Sequence, residues 1–253
     1  GQAAMFYTSS YLRTEPLSYE ITETATVTVA ASFGAVIASR ESRRRVLDID
    51  LRVGDYAFDN TRQMLGFGGP GSFGSFNIPA EVPLDDDPAA IRAMLWYQTD
   101  RKYRGAVEQL TRLRTNAQVK VGPEDSSADL SRESAAKYLE TIKQLAVDRK
   151  VWEAKLKRYT TPFSRLGDVY QGASAFTATV ETRWYVNSEG SEVQVSEPQY
   201  RLYLSAVTKA DDGMDLPRYE SWFAFTPEGL PGDAQVLKAA DRIVVDLRAL
   251  KKA

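Results

Sequence analysis

The 253-residue chain contains no cysteine and no histidine. Without cysteine it can form no disulfide, thiolate nucleophile or thiolate metal ligand. Without histidine it has no imidazole ligand, no Ser-His-Asp triad and none of the commonest general base. Long apolar runs are missing as well, so no segment reads as a membrane-spanning helix. Neither charge sign dominates: 32 Lys and Arg against 34 Asp and Glu give a net charge of -2. No overall field therefore draws the chain to nucleic acid or to an anionic membrane. What remains is ordinary for a globular protein, with 43% hydrophobic and 26% charged residues. The length suits one large domain or two smaller ones. The chain starts at Gly1, which reads as a tag scar on a chain trimmed upstream or relieved of a leader.

Several short patterns invite chemistry and fail on context. Gly66–Gly71, in LGFGGPGSFGSFNIP, fits G-x-G-x-x-G. Dinucleotide binding needs a strand before that pattern and a helix opening directly after it. Pro70 lies inside the pattern and no helix signal follows before Pro88, so the stretch reads as a Gly/Phe loop. Ser134-Ala-Ala-Lys137 fits S-x-x-K, but the S-D-N and K-T-G partners of acyl-serine enzymes are missing, and Ser134 is expected at a helix start. Asp85, Asp86 and Asp87 are consecutive, so their carboxylates diverge, and capping a helix already accounts for them. Asp211, Asp212 and Asp215 read as a turn. The stretch RESRRR (40–45) reads as a solvated hairpin end diluted by Glu41 and Asp48, with no interleaved aromatics for a nucleic-acid strand. Trp96, Trp152, Trp184 and Trp222 read as core anchors, with Trp184 and Tyr185 also able to line a contact surface.

Periodicity predicts a strand over 17–33, a short strand at GAVIAS turning through RESRR, and a further strand over RRVLDIDLRVGDYAF (44–58). A helix of about 25 residues, about 38 Å long, is predicted from Pro88. Its core stripe is Ile91, Leu95, Thr99, Tyr103, Ala106, Leu110 and Leu113. Residues 120–134 form a polar linker. A second helical stretch is predicted from Ser134, breaking near Asp148 and before Pro162. From Val169 strands return, with turns at Asn187–Gly190 and Asp211–Gly213, and a closing helix runs from Asp233 to Leu250. The predicted fold class is α+β: curled antiparallel sheets with long helices on one face, in two units in series, 1–119 and 135–253.

Five stretches in order, SFGAVIASRESRRRVLDIDLRVGDYAFDNT (32–61), VPLDDDPAAIRAMLWYQTDRKYRGAVEQL (82–110), DRKVWEAKLKRYTTPF (148–163), RWYVNSEGSEV (183–193) and DGMDLPRYESWFA (212–224), resemble the N-terminal region of the TldD/PmbA family. These are proposed zinc metallopeptidases once described as modulators of DNA gyrase. The resemblance implies an N-terminal α/β part and a C-terminal part holding zinc through H-E-x-x-x-H, whose helical spacing aims two imidazoles at one metal. No residue of this chain matches that motif, so no catalytic residue and no metal ligand is assigned, and zinc is expected only in the family's C-terminal part. The helix that usually precedes the first strand in the family is also missing, in keeping with a trimmed chain.

The expected role is a non-catalytic N-terminal domain that shapes the substrate chamber and mediates dimer contacts. Its expected partners are its own C-terminal domain or a paralogous subunit, in a homo- or heterodimer, with a peptide or protein as substrate. The resemblance implies a cytoplasmic location, with export after leader removal as the other course. Arg40, Arg43 and Arg44 with Phe67, Phe73 and Phe76 are the candidate contact surface. A stand-alone binding or assembly protein is the alternative, for which exposed sheet edges could pair with an extended peptide. A hydrolase working by carboxylates alone finds no Asp or Glu pair to support it.

Overall fold

A computed structural model of the chain describes residues 14–62, 79–119, 127–165, 167 and 169–252. Two 19-residue strands open it, β1 (Thr14–Ser32) and β2 (Ala35–Val53). They are followed by β3 (Ala80–Glu81), helix α1 (Pro88–Val119), β4 (Lys137–Leu139), α2 (Arg149–Ser164), β5 (Val169–Asn187), β6 (Glu192–Lys209), β7 (Asp215–Ala224) and α3 (Asp233–Lys252). The strands form one seven-stranded sheet in the order β3-β2-β1-β5-β6-β4, with β7 also paired to β6. β3 and β7 pair antiparallel with their neighbours, whereas β4 joins β6 in parallel. The architecture is α+β. No helix among the described residues is long and apolar enough to cross a membrane.

The chain divides into two compact units, one made of Gly1–Glu23, Arg44–Thr141 and Thr182–Val195, the other of Thr24–Arg43, Ile142–Glu181 and Ser196–Ala253. Neither is a continuous stretch, because β1, β2, β5 and β6 are long enough to contribute to both. In the first unit, α1 lays its expected stripe on the strands. Leu110 and Ala106 bury against Leu17, Leu47, Ile49 and Val53, with Ile91, Leu95 and Tyr103 packed alongside. Thr99 is fully buried, and its hydroxyl is satisfied there by the Leu95 carbonyl at 2.6 Å and the Tyr19 hydroxyl at 3.0 Å. Asp87 caps the helix: its Oδ1 accepts from Ala89 N at 2.9 Å and its carbonyl from Ile91 N at 3.0 Å.

In the second unit α2 and α3 cover the sheet through Leu156, Phe163, Val236, Ala240 and Leu247, facing Val29, Phe176 and Leu204. Trp152 stacks on Phe176 with centroids 3.5 Å apart. Gly172 lets α2 approach β5, since a Cβ there would lie 2.5 Å from Phe163 Cβ.

The turns at Asn187–Gly190 and Asp211–Gly213 form where expected, with Gly190 at φ 95° and Gly213 at φ 89°. Three expectations are corrected. RESRR is no turn. It lies inside β2, and the reversal comes earlier, at Phe33 and Gly34, whose positive φ values of 48° and 81° suit a two-residue hairpin. The helix expected from Ser134 does not start there. Lys137–Leu139 pairs with β6 instead, Glu140 N donates to Gln194 O at 2.9 Å, and Lys143 N donates to Ser196 Oγ at 3.0 Å. These long-range bonds outweigh the local helix propensity of AAKYLETIKQLA. The helix begins only at Arg149, capped by Asp148, whose Oδ1 accepts from Lys150 N at 2.9 Å. It runs through Pro162 to Ser164, where the missing proline N–H costs only a bond near the helix end. Trp96, finally, is 51% exposed on α1 and anchors no core.

Candidate functional site

The arginine stretch separates into two kinds of residue. Arg40, Arg43 and Arg44 are exposed on β2, and Arg44 Nε lies 3.3 Å from Glu81 Oε1. Arg45 turns inward and is only 6% exposed. Its Nε donates to Glu23 Oε2 at 2.8 Å, Nη1 to Pro83 O at 3.0 Å and Nη2 to Asp86 Oδ1 at 2.7 Å. Burial opposes its charge, but Asp86 and Glu23 outweigh that and raise its pKa above the ordinary arginine value. Arg45 thus ties β1, β2 and the approach to α1 together and is not available to a ligand. The other half of the expected contact surface, Phe67, Phe73 and Phe76, lies outside the described residues, as does the G-x-G-x-x-G stretch.

The acidic groups are structural too. Of the aspartates before α1, Asp86 holds Arg45, Asp87 caps the helix and Asp85 is exposed. Asp59 is fully buried, a position where an unpaired carboxylate would attract notice. It is spoken for: Oδ1 accepts from the Thr61 amide and hydroxyl, both at 2.6 Å, and Oδ2 from Arg52 Nη1 at 3.2 Å. Ser134 is exposed outside any helix, and Lys137 pairs with Glu192 at 3.6 Å, so S-x-x-K assembles no nucleophile. In the second unit the buried Tyr159 hydroxyl donates to Asp233 Oδ1, and Arg158 donates to Oδ2. Burial first, then Asp233, pushes the Tyr159 pKa up; the same hydrogen bond holds Asp233 below the usual carboxylate range. No group of three or more Asp or Glu among the described residues could hold a metal ion. With imidazole and thiolate absent from the whole chain, these donors do not fit zinc.

One surface stands out that the sequence reading missed. Along β6, Leu202, Leu204 and Ala206 face the helices, and their neighbours on β7 are Trp222, Glu220 and Arg218. The alternate residues face the other way, and there Tyr203, Tyr219 and Phe223 are 37%, 67% and 48% exposed, with Phe225 just beyond β7 at 55%. Tyr203 and Tyr219 stack at 5.9 Å across the strand pair, and Phe223 meets Phe225 edge-on at 5.0 Å. Its signal was in the sequence: QYRLYLSAV and RYESWFAF carry large apolar residues on both phases of the strand period. A strand open to water on one face alternates instead.

Residues 125–247 match the family described as PmbA/TldA metallopeptidase central domain. No curated protein matches the chain by sequence. Among solved structures the fold is similar to a proposed modulator of a DNA gyrase from Thermotoga maritima, with TM-score 0.51 and 15% identity over 96% of this chain and 46% of that one. It is also similar to TldE from Thermococcus kodakarensis, with TM-score 0.51 and 13% identity over 92% and 44% of the two chains. A proposed modulator of DNA gyrase from Bacteroides thetaiotaomicron gives TM-score 0.59 and 11% identity over 96% and 48%. The chain spans about half the length of these structures.

Proposed function

Since the chain belongs to the TldD/PmbA family, we propose that it is a non-catalytic part of a TldD/PmbA-type metallopeptidase, shaping the substrate chamber and making subunit contacts while zinc is bound outside it. The observation that carries this reading is the pairing of a metallopeptidase-domain match with a chain that has neither histidine nor cysteine. Coverage of about half of each related structure leaves room in those proteins for a separate zinc-binding part. The open aromatic face of β6 and β7 is the candidate wall or contact surface. Rows of half-exposed aromatic rings are what water-excluding interfaces are built from.

Metal analysis and a peptidase assay test the reading on the isolated chain and on a protein joining it to the family's C-terminal part. Zinc and peptide cleavage are expected in the joined protein, and neither is expected in the isolated chain. One equivalent of zinc in the isolated chain, or cleavage by it, would overturn the assignment.

A further inference from the structure

We propose that Lys137–Glu140 is a hinged strap, which lifts off β6 while the rest of the first unit stays folded and so uncovers the Glu192–Gln194 edge. β4 lies on that edge in parallel, with Lys137, Tyr138 and Leu139 opposite Glu192, Val193 and Gln194. Glu192 N donates to Ala136 O at 2.8 Å, and Glu140 N donates to Gln194 O at 2.9 Å. Two side chains reinforce this ladder: Ser191 Oγ accepts from Ala136 N at 3.1 Å, and Gln194 Nε2 donates to Glu140 O at 2.6 Å. Burial adds little. Every residue from Ser131 to Leu139 is exposed, Tyr138 by 56% and Leu139 by 70%. The Lys137–Glu192 pair, with side chains 68% and 51% exposed, is a surface pair of small weight.

A few residues earlier the same stretch is held more firmly. Asp129, whose side chain is 13% exposed, accepts from Asp59 N at 2.9 Å through Oδ2, and its Oδ1 lies 3.7 Å from Arg62 Nε. Arg62 Nη2 donates to Ser127 O at 3.1 Å, and Leu130 N donates to Tyr56 O at 3.1 Å. Arg132 Cζ stands 4.5 Å from the centre of the Tyr56 ring. The loop that receives these contacts is itself braced, since the fully buried Asp59 holds Arg52 and Thr61. Hydrogen bonds to charged groups are stronger than neutral ones, and shielding from water strengthens them further. The chain is therefore pinned at Ser127–Arg132 and lightly held at Ala136–Glu140, with the irregular, exposed Glu133–Ala135 between them as the hinge. Segments with few buried apolar contacts and exposed backbone bonds open on their own, well before the whole fold does. Lifting the strap bares the backbone groups of Glu192–Gln194 and breaks no core contact. The device lies in this chain alone, so it stands apart from the zinc reading.

The test is amide hydrogen exchange of the full chain, read residue by residue by NMR between 0 and 1 M urea. Glu140 and Glu192 report the strap, Leu130 the anchor, and Leu204, fully buried in the same strand β6, the whole fold. Protection at Glu140 and Glu192 should be measurable and at least ~100-fold below that at Leu204. It should barely change with urea, because opening the strap exposes little new surface, whereas protection at Leu204 should fall if that amide exchanges by global unfolding. Leu130 should be clearly better protected than Glu140. Gln194→Ala removes the donor to Glu140 O and should lower protection about 5-fold at Glu140 while leaving Leu204 unchanged. Protection at Glu140 and Glu192 equal to that at Leu204, falling with it in urea, would overturn the proposal, because the strap would then open only with the whole fold. So would no protection at Glu140 and Glu192, or Leu130 exchanging as fast as Glu140, since there would be no closed strap or no hinge. If Gln194→Ala does not fold, the urea dependence in the parent chain decides alone.

Discussion

Arg45 offers the sharpest check on how the first unit is held together. Arg45→Met keeps most of the buried stem and removes the guanidinium. Its three acceptors differ in environment: the Glu23 side chain is 14% exposed and the Asp86 side chain 80%. The Asp86 contact is therefore a surface pair, worth at most about 1 kcal/mol. The bond to the neutral Pro83 carbonyl is worth about 1 kcal/mol. The larger share lies with Glu23, whose mostly buried carboxylate loses its cation; breaking a buried pair costs about 3–5 kcal/mol. Since these contributions overlap, Arg45→Met should lose about 3–4 kcal/mol, a large part of the stability of a typical domain. Glu23→Gln should lose less, because Asp86 and Pro83 still serve the guanidinium.

The double variant Arg45→Met/Glu23→Gln should recover about 1–2 kcal/mol of the summed losses, since a neutral amide replaces the mostly buried carboxylate that faced Arg45. Urea denaturation at pH 7, followed by far-ultraviolet circular dichroism for all four proteins, reads these values. Arg45→Met within about 1 kcal/mol of the parent would refute the reasoning, because that is a surface-pair value. Strict additivity in the double variant would refute the coupling.

Two glycines should respond with opposite signs. Gly172→Ala forces a Cβ to within 2.5 Å of the buried Phe163 Cβ and should cost about 1–3 kcal/mol in thermal or urea unfolding. Gly105→Ala, inside α1 with nothing within 4 Å of the new carbon, should stabilise by about 0.5–1 kcal/mol. Asp233 sets an acid dependence: its folded pKa is lowered, chiefly by the Tyr159 hydrogen bond, so its contribution is present above the unfolded value near ~4 and fades as pH falls through the folded one. Asp233→Asn should therefore be less stable than the parent at pH 7, and the gap should narrow below about pH 4. A gap that widens with acid would reverse the assignment.

What proved legible in the sequence was local in its physics. The α1 stripe needs only the helical repeat, and Asp87 ahead of Pro88 caps that helix by bonds to residues within one turn. The turns at Gly190 and Gly213 need a residue that tolerates positive φ. The strand β5 follows from alternation, and β6 and β7 from runs rich in β-branched and aromatic residues bounded by turns. The lack of histidine and cysteine, a fact of composition, rules out imidazole and thiolate ligation whatever the fold.

Other features were settled by partners distant in sequence. AAKYLETIKQLA favours helix by propensity, yet Lys137–Leu139 is a strand because β6 offers it a ladder more than 50 residues away, as the pairing of Lys137 with Glu192 shows. RESRR looks like a turn, yet it continues β2 because Phe33 and Gly34 have already reversed the chain. Nothing in the RRR run marks Arg45 as the buried member; that follows from Glu23 and Asp86 arriving from two other segments. The candidate surface depends on the same distinction. QYRLYLSAV and RYESWFAF carry apolar residues on both phases, so composition alone leaves open which face the helices cover. α2 and α3 bury one phase, and Tyr203, Tyr219 and Phe223 remain on the other. Helix caps, turns and ligand chemistry were determined by the sequence itself, because each depends on a few neighbouring residues or on which side chains exist. Strand partners, the burial of Arg45 and the open aromatic face were decided by the tertiary structure, because burial and pairing belong to segments that meet only in the folded chain.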